Sequence, residues 1–414
     1  MSQAANAAFP LVVAPFLLHT AGAESYSRFA ISEAMAMGLL TVSLYSFDLD
    51  AIGSVVGKDL QAQKSEISAA FSEVLYARLI VFLVAVLGLV GAVAATDAIL
   101  LRYLWGWILY VLSQVVVSAW LYQGMQRNWI TAWPIVISRL LALGAIVWLI
   151  EPGSDAAVAS AIIGIVSLVS SLLLACFASI RLGIGPRYVA LARIAFLLRR
   201  GWTVFLGCAS VFFYRDANVL VLGGALSDPA AIAAYSIAEK IVKGIQAAAR
   251  PVNQLFLPKA IAALKPFSHP HRAALACLRG LLRPQLLLVG AGMLLAYALL
   301  AGLLLINPSL GASLGIEQGA TLVVVMSPAV IFGIANFMLG SVGLNNLSAS
   351  RYLFLCIAAI GLLNLAWCVV LTLSMGVMGA AMAFLFSEAT LLALVLRPYL
   401  RDGLMSSRDR QAMQ

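Results

Sequence analysis

Residues 79–95 read LIVFLVAVLGLVGAVAA, a run without one charged or hydrogen-bonding side chain. Extended to 72–96, the run exceeds the ~20 residues that an α-helix needs to cross ~30 Å of hydrocarbon. Most of it is apolar on every face, the mark of a helix with no water on any side. Comparable runs fall at 4–22, 30–55, 98–122, 128–150, 156–180, 201–224, 229–256, 281–306, 320–344, 351–374 and 377–398. The expected fold is all-α and polytopic, with about twelve transmembrane helices.

Composition agrees. Of 414 residues, 63% are hydrophobic and 10% charged, and the mean hydropathy is +1.01. Soluble domains carry about 25% charged residues, so a large soluble enzyme is excluded. The net charge of +9 does not indicate nucleic acid, because the cations cluster at the ends of the apolar runs. Cys176, Cys208, Cys277, Cys356 and Cys368 show no metal-binding or redox spacing and read as packing residues. No metal and no cofactor are implied. No Lys or Arg precedes Arg28, so the first run lacks the basic start of a cleavable signal and reads as a retained helix.

Charge alternates between successive connections. Those after the even-numbered runs, with the C-terminal tail, carry Lys58, Lys64, Arg127, Arg181, Arg187, Arg193, Arg199, Arg200, Lys259, Lys265, Arg272, Arg279, Arg283, Arg351, Arg401, Arg408 and Arg410. The odd-numbered connections carry mainly Asp97, Glu151, Asp155, Asp228 and Glu317. The positive-inside rule then predicts both termini in the cytoplasm. The polar interruption at 181–200 splits the chain into an N-terminal six-helix lobe at 1–180 and a C-terminal six-helix lobe at 201–400. Between them lies a basic amphipathic cytoplasmic linker, and a cytoplasmic tail follows at 401–414.

The halves resemble each other. An offset of 206 lays Phe29–Gly38 (FAISEAMAMG) on Tyr235–Gly244 (YSIAEKIVKG), with Ile, Glu and Gly coincident. Span two thereby falls on span eight, and Glu33 on Glu239.

An ionisable group deep in a bilayer costs several kcal/mol and faces a cavity or a partner. In span eight, Ser236, Glu239, Lys243, Gln246, Arg250 and Asn253 recur at helical spacing on one face, widened by Lys240. Either this face lines an anion-attracting cavity, or Glu239 and Lys243 neutralise each other one turn apart. Span seven carries Arg215 and Asp216 side by side, ~100° apart on a helix, so each needs a partner from elsewhere. Arg215 is then a structural bridge or a cavity cation. Asp48 and Asp50 mark either a cavity or a solvated helix end. Arg139 and Glu388 are lone intramembrane charges.

Four segments carry a family resemblance: Gly22-Ala-Glu-Ser-Tyr26-Ser-Arg-Phe29, Ala234-Tyr-Ser-Ile-Ala-Glu-Lys-Ile-Val242, Gln254-Leu-Phe-Leu-Pro258 and Gly376-Val-Met-Gly-Ala-Ala381. In order and spacing the chain resembles the polysaccharide flippases, the Wzx-type O-antigen and exopolysaccharide repeat-unit transporters of the multidrug/oligosaccharidyl-lipid/polysaccharide exporter superfamily. It departs from them at His19 and Ser27. The resemblance implies two lobes around a cationic central cavity. It also implies movement of an undecaprenyl-diphosphate-linked oligosaccharide from the cytoplasmic to the periplasmic leaflet by alternating access. The expected headgroup contacts are Arg28, Arg215, Lys240, Lys243 and Arg250, with Glu33, Asp216 and Glu239 as cavity or coupling carboxylates. Expected partners are the polyprenyl-diphosphate glycan, membrane lipids and other polysaccharide assembly proteins. No G-x-x-x-x-G-K-[ST] loop occurs, which argues against ATP-driven pumping. A proton gradient, a sodium gradient or the membrane potential are the remaining sources of direction. The competing readings are a drug exporter, which would favour an acidic cavity, and a membrane glycan polymerase or glycosyltransferase, which would want a large extramembrane loop.

Overall fold

The computed structural model describes residues 2–45, 47–53, 55–56, 63–306 and 316–400. Lys58, Arg401, Arg408 and Arg410, and the expected tail at 401–414, lie outside the described residues, as do the side chains of Asp48, Asp50, Arg250 and Glu317. Among the described residues every regular element is a helix. Ten helices among the described residues are long and apolar enough to cross a membrane. The first of them is two arms that meet at Gly22. Pro229–Leu264 is longer than any crossing needs and carries Glu239, Lys240, Lys243, Arg250 and Lys259. Counting both arms and that helix gives twelve, in the order of the twelve apolar runs.

The first connection differs from expectation. Runs 4–22 and 30–55 form one helical stretch, Ser2–Leu44, whose internal break is at Gly22 (φ 78°, ψ 167°). That φ is open to glycine at little cost and strained for other residues. The polar segment after it stays helical, and Glu24 and Arg28 pair there one turn apart at 2.9 Å. Span two ends earlier than expected, at Leu44, and a short helix, Phe47–Gly53, follows.

The expected linker at 181–200 is not separate from the next span: from Leu191 onward it runs directly into span seven as Leu191–Arg215. Two compact units result, 1–212 and 213–414. The boundary falls inside this helix because its first turns pack on the first unit. Tyr45 donates to the Leu198 carbonyl (3.0 Å) and stacks on Phe205 (4.4 Å).

In the first unit the connections sort by parity. At one end, the Gly153 N–H donates to Thr20 O (2.8 Å), Ser25 donates to Asp155 (3.0 Å), and Arg102 pairs with Asp155 (3.1 Å). These contacts join the connections after spans one, three and five. At the other end, Arg187 donates to Ser65 (2.8 Å) and Arg193 pairs with Glu73 (3.0 Å), joining the connections after spans two and six. Spans four and six meet backbone to backbone. A Cβ on Gly106 would strike Ser160, and one on Gly164 would strike the Gly106 carbonyl. Small residues permit that approach in a solvent where apolar area alone does not drive association. Arg139 bridges spans one, four and five by donating to Asn6 (3.0 Å) and Tyr110 (3.3 Å).

Candidate functional site

In the second unit, span seven is discontinuous. Leu191–Arg215 stops at Asp216, and Asn218–Ala225 resumes the crossing. Sequence reading treats this span as one continuous helix, and no proline or glycine marks the break. A break within the bilayer frees backbone carbonyls that lipid cannot satisfy. Here buried amides take the load. Asn364 of span eleven donates to the Phe213 carbonyl (2.9 Å) and to Asn218 Oδ1 (2.7 Å). Ser387 of span twelve donates to Asn364 Oδ1 (2.8 Å), and Asn218 donates to the Tyr235 hydroxyl (3.0 Å). Asn364, Ser387, Asn218 and Tyr235 are all fully buried. Span eleven thus supplies the residue that stabilises the break.

The break presents Arg215 and Asp216 to span eight. Asp216 Oδ1 accepts from Lys243 Nζ at 2.6 Å, and Lys243 also lies 3.3 Å from Glu239 Oε1. Arg215 donates to Gln246 Oε1 at 2.9 Å, and Lys240 donates to Ser236 Oγ at 3.2 Å. The polar stripe of span eight faces inward, with Ser236, Glu239 and Asn253 buried. For Lys243 the neutralisation alternative is met, since it pairs with Glu239 within its helix and also with Asp216 across helices.

Arg215, Asp216, Glu239, Lys240 and Lys243 are thus brought together on spans seven and eight of one unit. Arg28 pairs with Glu24, and Glu33 is half-buried; both belong to the first unit. Arg250 lies on span eight, with its side chain outside the described residues.

Glu388 lies beside this cluster. It is buried, and its Oε2 accepts from Asn336 Nδ2 of span ten at 2.8 Å. Gln246 reaches span ten past Gly333, where a Cβ would stand 3.2 Å from the Gln246 nitrogen. Arg215, Gln246, Asn336 and Glu388 line a cavity of about 390 Å³ within the second unit. Sequence reading notes Glu388 as a lone charge but leaves it out of the site, because spans eight and twelve are far apart in the chain.

Residues 1–258 match the family described as "Polysaccharide biosynthesis protein". The chain is 23% identical over 406 residues to the "Putative O-antigen transporter" of Escherichia coli (strain K12), covering 95% of this chain and 93% of that one. Among solved structures it is similar to the lipid II flippase MurJ in an inward closed conformation. The TM-score there is 0.68 at 14% identity, over 94% of this chain and 85% of the other. A MATE transporter in its bent conformation matches with a TM-score of 0.51 at 11% identity, covering 96% and 92%. At such identities the structural likeness concerns the fold, a multi-pass membrane bundle.

Proposed function

Because this chain belongs to the polysaccharide biosynthesis protein family, we propose that it flips a polyprenyl-diphosphate-linked oligosaccharide from the cytoplasmic to the outer leaflet of a bacterial inner membrane. In this reading both termini are cytoplasmic, as the parity of basic connections suggests. The chain works as a transporter, and its own residues bind and release without making or breaking bonds.

One observation carries the reading: a membrane helix broken at Asp216, with Lys243 held between Asp216 and Glu239. A diphosphate can leave water only where fixed cations replace its hydration. Lys243, Lys240, Arg215 and Arg250 supply those cations, with Arg28 in the first unit. Asp216 and Glu239 hold Lys243 while no phosphate is bound and yield it when one arrives. This exchange keeps the partly buried ammonium paired throughout, which avoids the cost of an isolated charge inside the bundle. The released carboxylates, with Glu33, are the groups through which a proton or sodium gradient would couple. An inside-negative potential alone favours outward movement of an anion by ~2.3 kcal/mol per charge per 100 mV.

The test is reconstitution into liposomes with a fluorescent polyprenyl-diphosphate glycan and a membrane-impermeant quencher. The unaltered protein should move the lipid between leaflets, and joint replacement of Lys240, Lys243 and Arg250 by Gln should slow movement at least tenfold at equal protein content. Undiminished flipping by that variant would remove the phosphate role of span eight.

A further inference from the structure

The cavity bounded by spans seven, eight, ten, eleven and twelve shares Arg215 with the phosphate site just described and extends away from Lys243 toward Asn336 and Glu388. We propose that it is a recognition pocket for one uncharged pyranose residue of the transported glycan, an inference that rests on the flippase reading. Its volume of about 390 Å³ is near the lower end of the range for small-molecule sites, ample for one sugar ring.

The polar atoms define the ligand. Asn253 Oδ1 and Asn336 Oδ1 are buried with no hydrogen-bond donor among the described residues. Both side chains line the cavity and are nine-tenths buried. A buried acceptor without a donor costs roughly 1–3 kcal/mol, and turning either amide toward the hollow lets a ligand rich in donors recover it. The Glu388 carboxylate, which also lines the cavity, adds a third acceptor. Arg215 lines it too, and its guanidinium has five N–H donors, of which one reaches Gln246.

A sugar rim needs this mixture, since each hydroxyl both donates and accepts. A pyranose also has a C–H face, and Phe337 offers an aromatic lining residue for it. Asn336 and Phe337 sit where span ten widens into a π-helical stretch, Phe337–Leu344, a geometry frequent at functional sites. Two other ligand classes fit less well. The Arg215 guanidinium opposes a cation, and no cluster of three His, Cys, Asp or Glu residues occurs among the described residues. The Glu388 carboxylate opposes a phosphate or a uronic acid. Arg215 adjoins Asp216 in the chain, so the pocket and the Lys243 ion pair lie one residue apart, as diphosphate and first sugars do in the substrate.

The experiment is saturation-transfer-difference NMR on the full chain in lipid nanodiscs. The probes are the methyl glycosides of glucose, galactose, N-acetylglucosamine, N-acetylgalactosamine and glucuronic acid. At least one neutral glycoside should give ring-proton signals, falling at least fivefold in Asn253→Leu and Asn336→Leu, while the glucuronide stays silent. Glu388→Gln keeps the acceptor for Asn336 and removes the charge, so it should fold and let the glucuronide signal appear. Silence from every neutral glycoside overturns the pocket, as do signals unchanged in both leucine variants or a glucuronide still silent in Glu388→Gln. Flipping without any glycoside signal ends the pocket and keeps the proposed function. Specific glycoside signals from a protein that moves no lipid end the function and keep the pocket.

Discussion

The two halves of this chain solve the same packing problem with opposite chemistry. The offset that lays Phe29 on Tyr235 also lays Phe9 on Arg215 and Pro10 on Asp216. In the first unit the helix passes unbroken through Pro10, and Phe9 lies under the Arg139 guanidinium at 5.0 Å. Phe29 packs on Trp107 at 5.2 Å. In the second unit the helix breaks at Asp216, and Tyr235 spends its hydroxyl on the Asn218 amide. The first unit keeps ion pairs near its helix ends, at Arg28–Glu24, Arg102–Asp155 and Arg193–Glu73. The second places one between its helices, at Lys243. A membrane helix can be broken where buried amides satisfy the backbone it frees, and such a break brings charged groups to the bundle interior. The chemistry is therefore sought in the second unit.

Removing Lys243 should break that contrast most severely. Lys243→Ala strands Glu239 beside Asp216, and an unpaired buried charge costs about 3–5 kcal/mol. Thermal unfolding in detergent should show a large loss of stability. The joint variant Asp216→Leu, Glu239→Leu, Lys243→Met should recover much of it, because apolar replacement of a buried ion pair is often neutral. It should not recover flipping. Equal stability of the single and joint variants would mean that the ions are solvated rather than buried.

The first unit should break through size instead of charge. Gly164→Leu drives a side chain into the Gly106 carbonyl, and overpacking of this kind costs roughly 1–3 kcal/mol or more. The readout is the fraction of protein that stays monodisperse on size exclusion, where Gly164→Leu should fall well below the unaltered chain. In the second unit, Asn364→Leu withdraws both donors from the span-seven break, leaving the Phe213 carbonyl and Asn218 Oδ1 unsatisfied, for about 1–3 kcal/mol per group. Ser387→Ala removes a single donor from the same network and should cost less. If Asn364→Leu were silent in thermal unfolding, the break would have to be held by something other than this network.

The span count was legible because about twenty apolar residues in succession leave a helix few options. The stripe on span eight was legible for a similar reason, since polar residues at steps of three and four share a face. The break in span seven was not. Asp216 and Ala217 carry no turn signal, and the residue that permits the break, Asn364, lies one hundred and fifty positions away on an otherwise apolar helix. Glu388 is missing from the sequence-derived site for the same reason, because its partners on spans seven, eight and ten meet only in the folded bundle. Arg28 and Glu33 were grouped with the cluster through the resemblance, and the structure places them in the other compact unit.

The smallest expected effect belongs to the first unit and is one of pH. Asp155 lies in the connection just before span six, where its Oδ1 accepts from the Ala157 N–H (3.0 Å). Burial pulls its carboxyl upward. The Ala157 N–H, the Tyr103 and Ser25 hydroxyls and the Arg102 guanidinium together outweigh that pull and hold it below the usual carboxylate range. A carboxyl depressed by folding contributes stability above its unfolded value, near ~3.9, and the contribution is lost as pH falls through the lower folded value. The unaltered protein should therefore lose melting temperature on acidification below pH ~4, and Asp155→Asn should lose less over the same interval. At neutral pH the substitution should cost under ~1 kcal/mol, because the pair with Arg102 is largely exposed and the amide oxygen can still accept from the Ala157 N–H. Parallel acid profiles for the two proteins would show that acid sensitivity originates elsewhere.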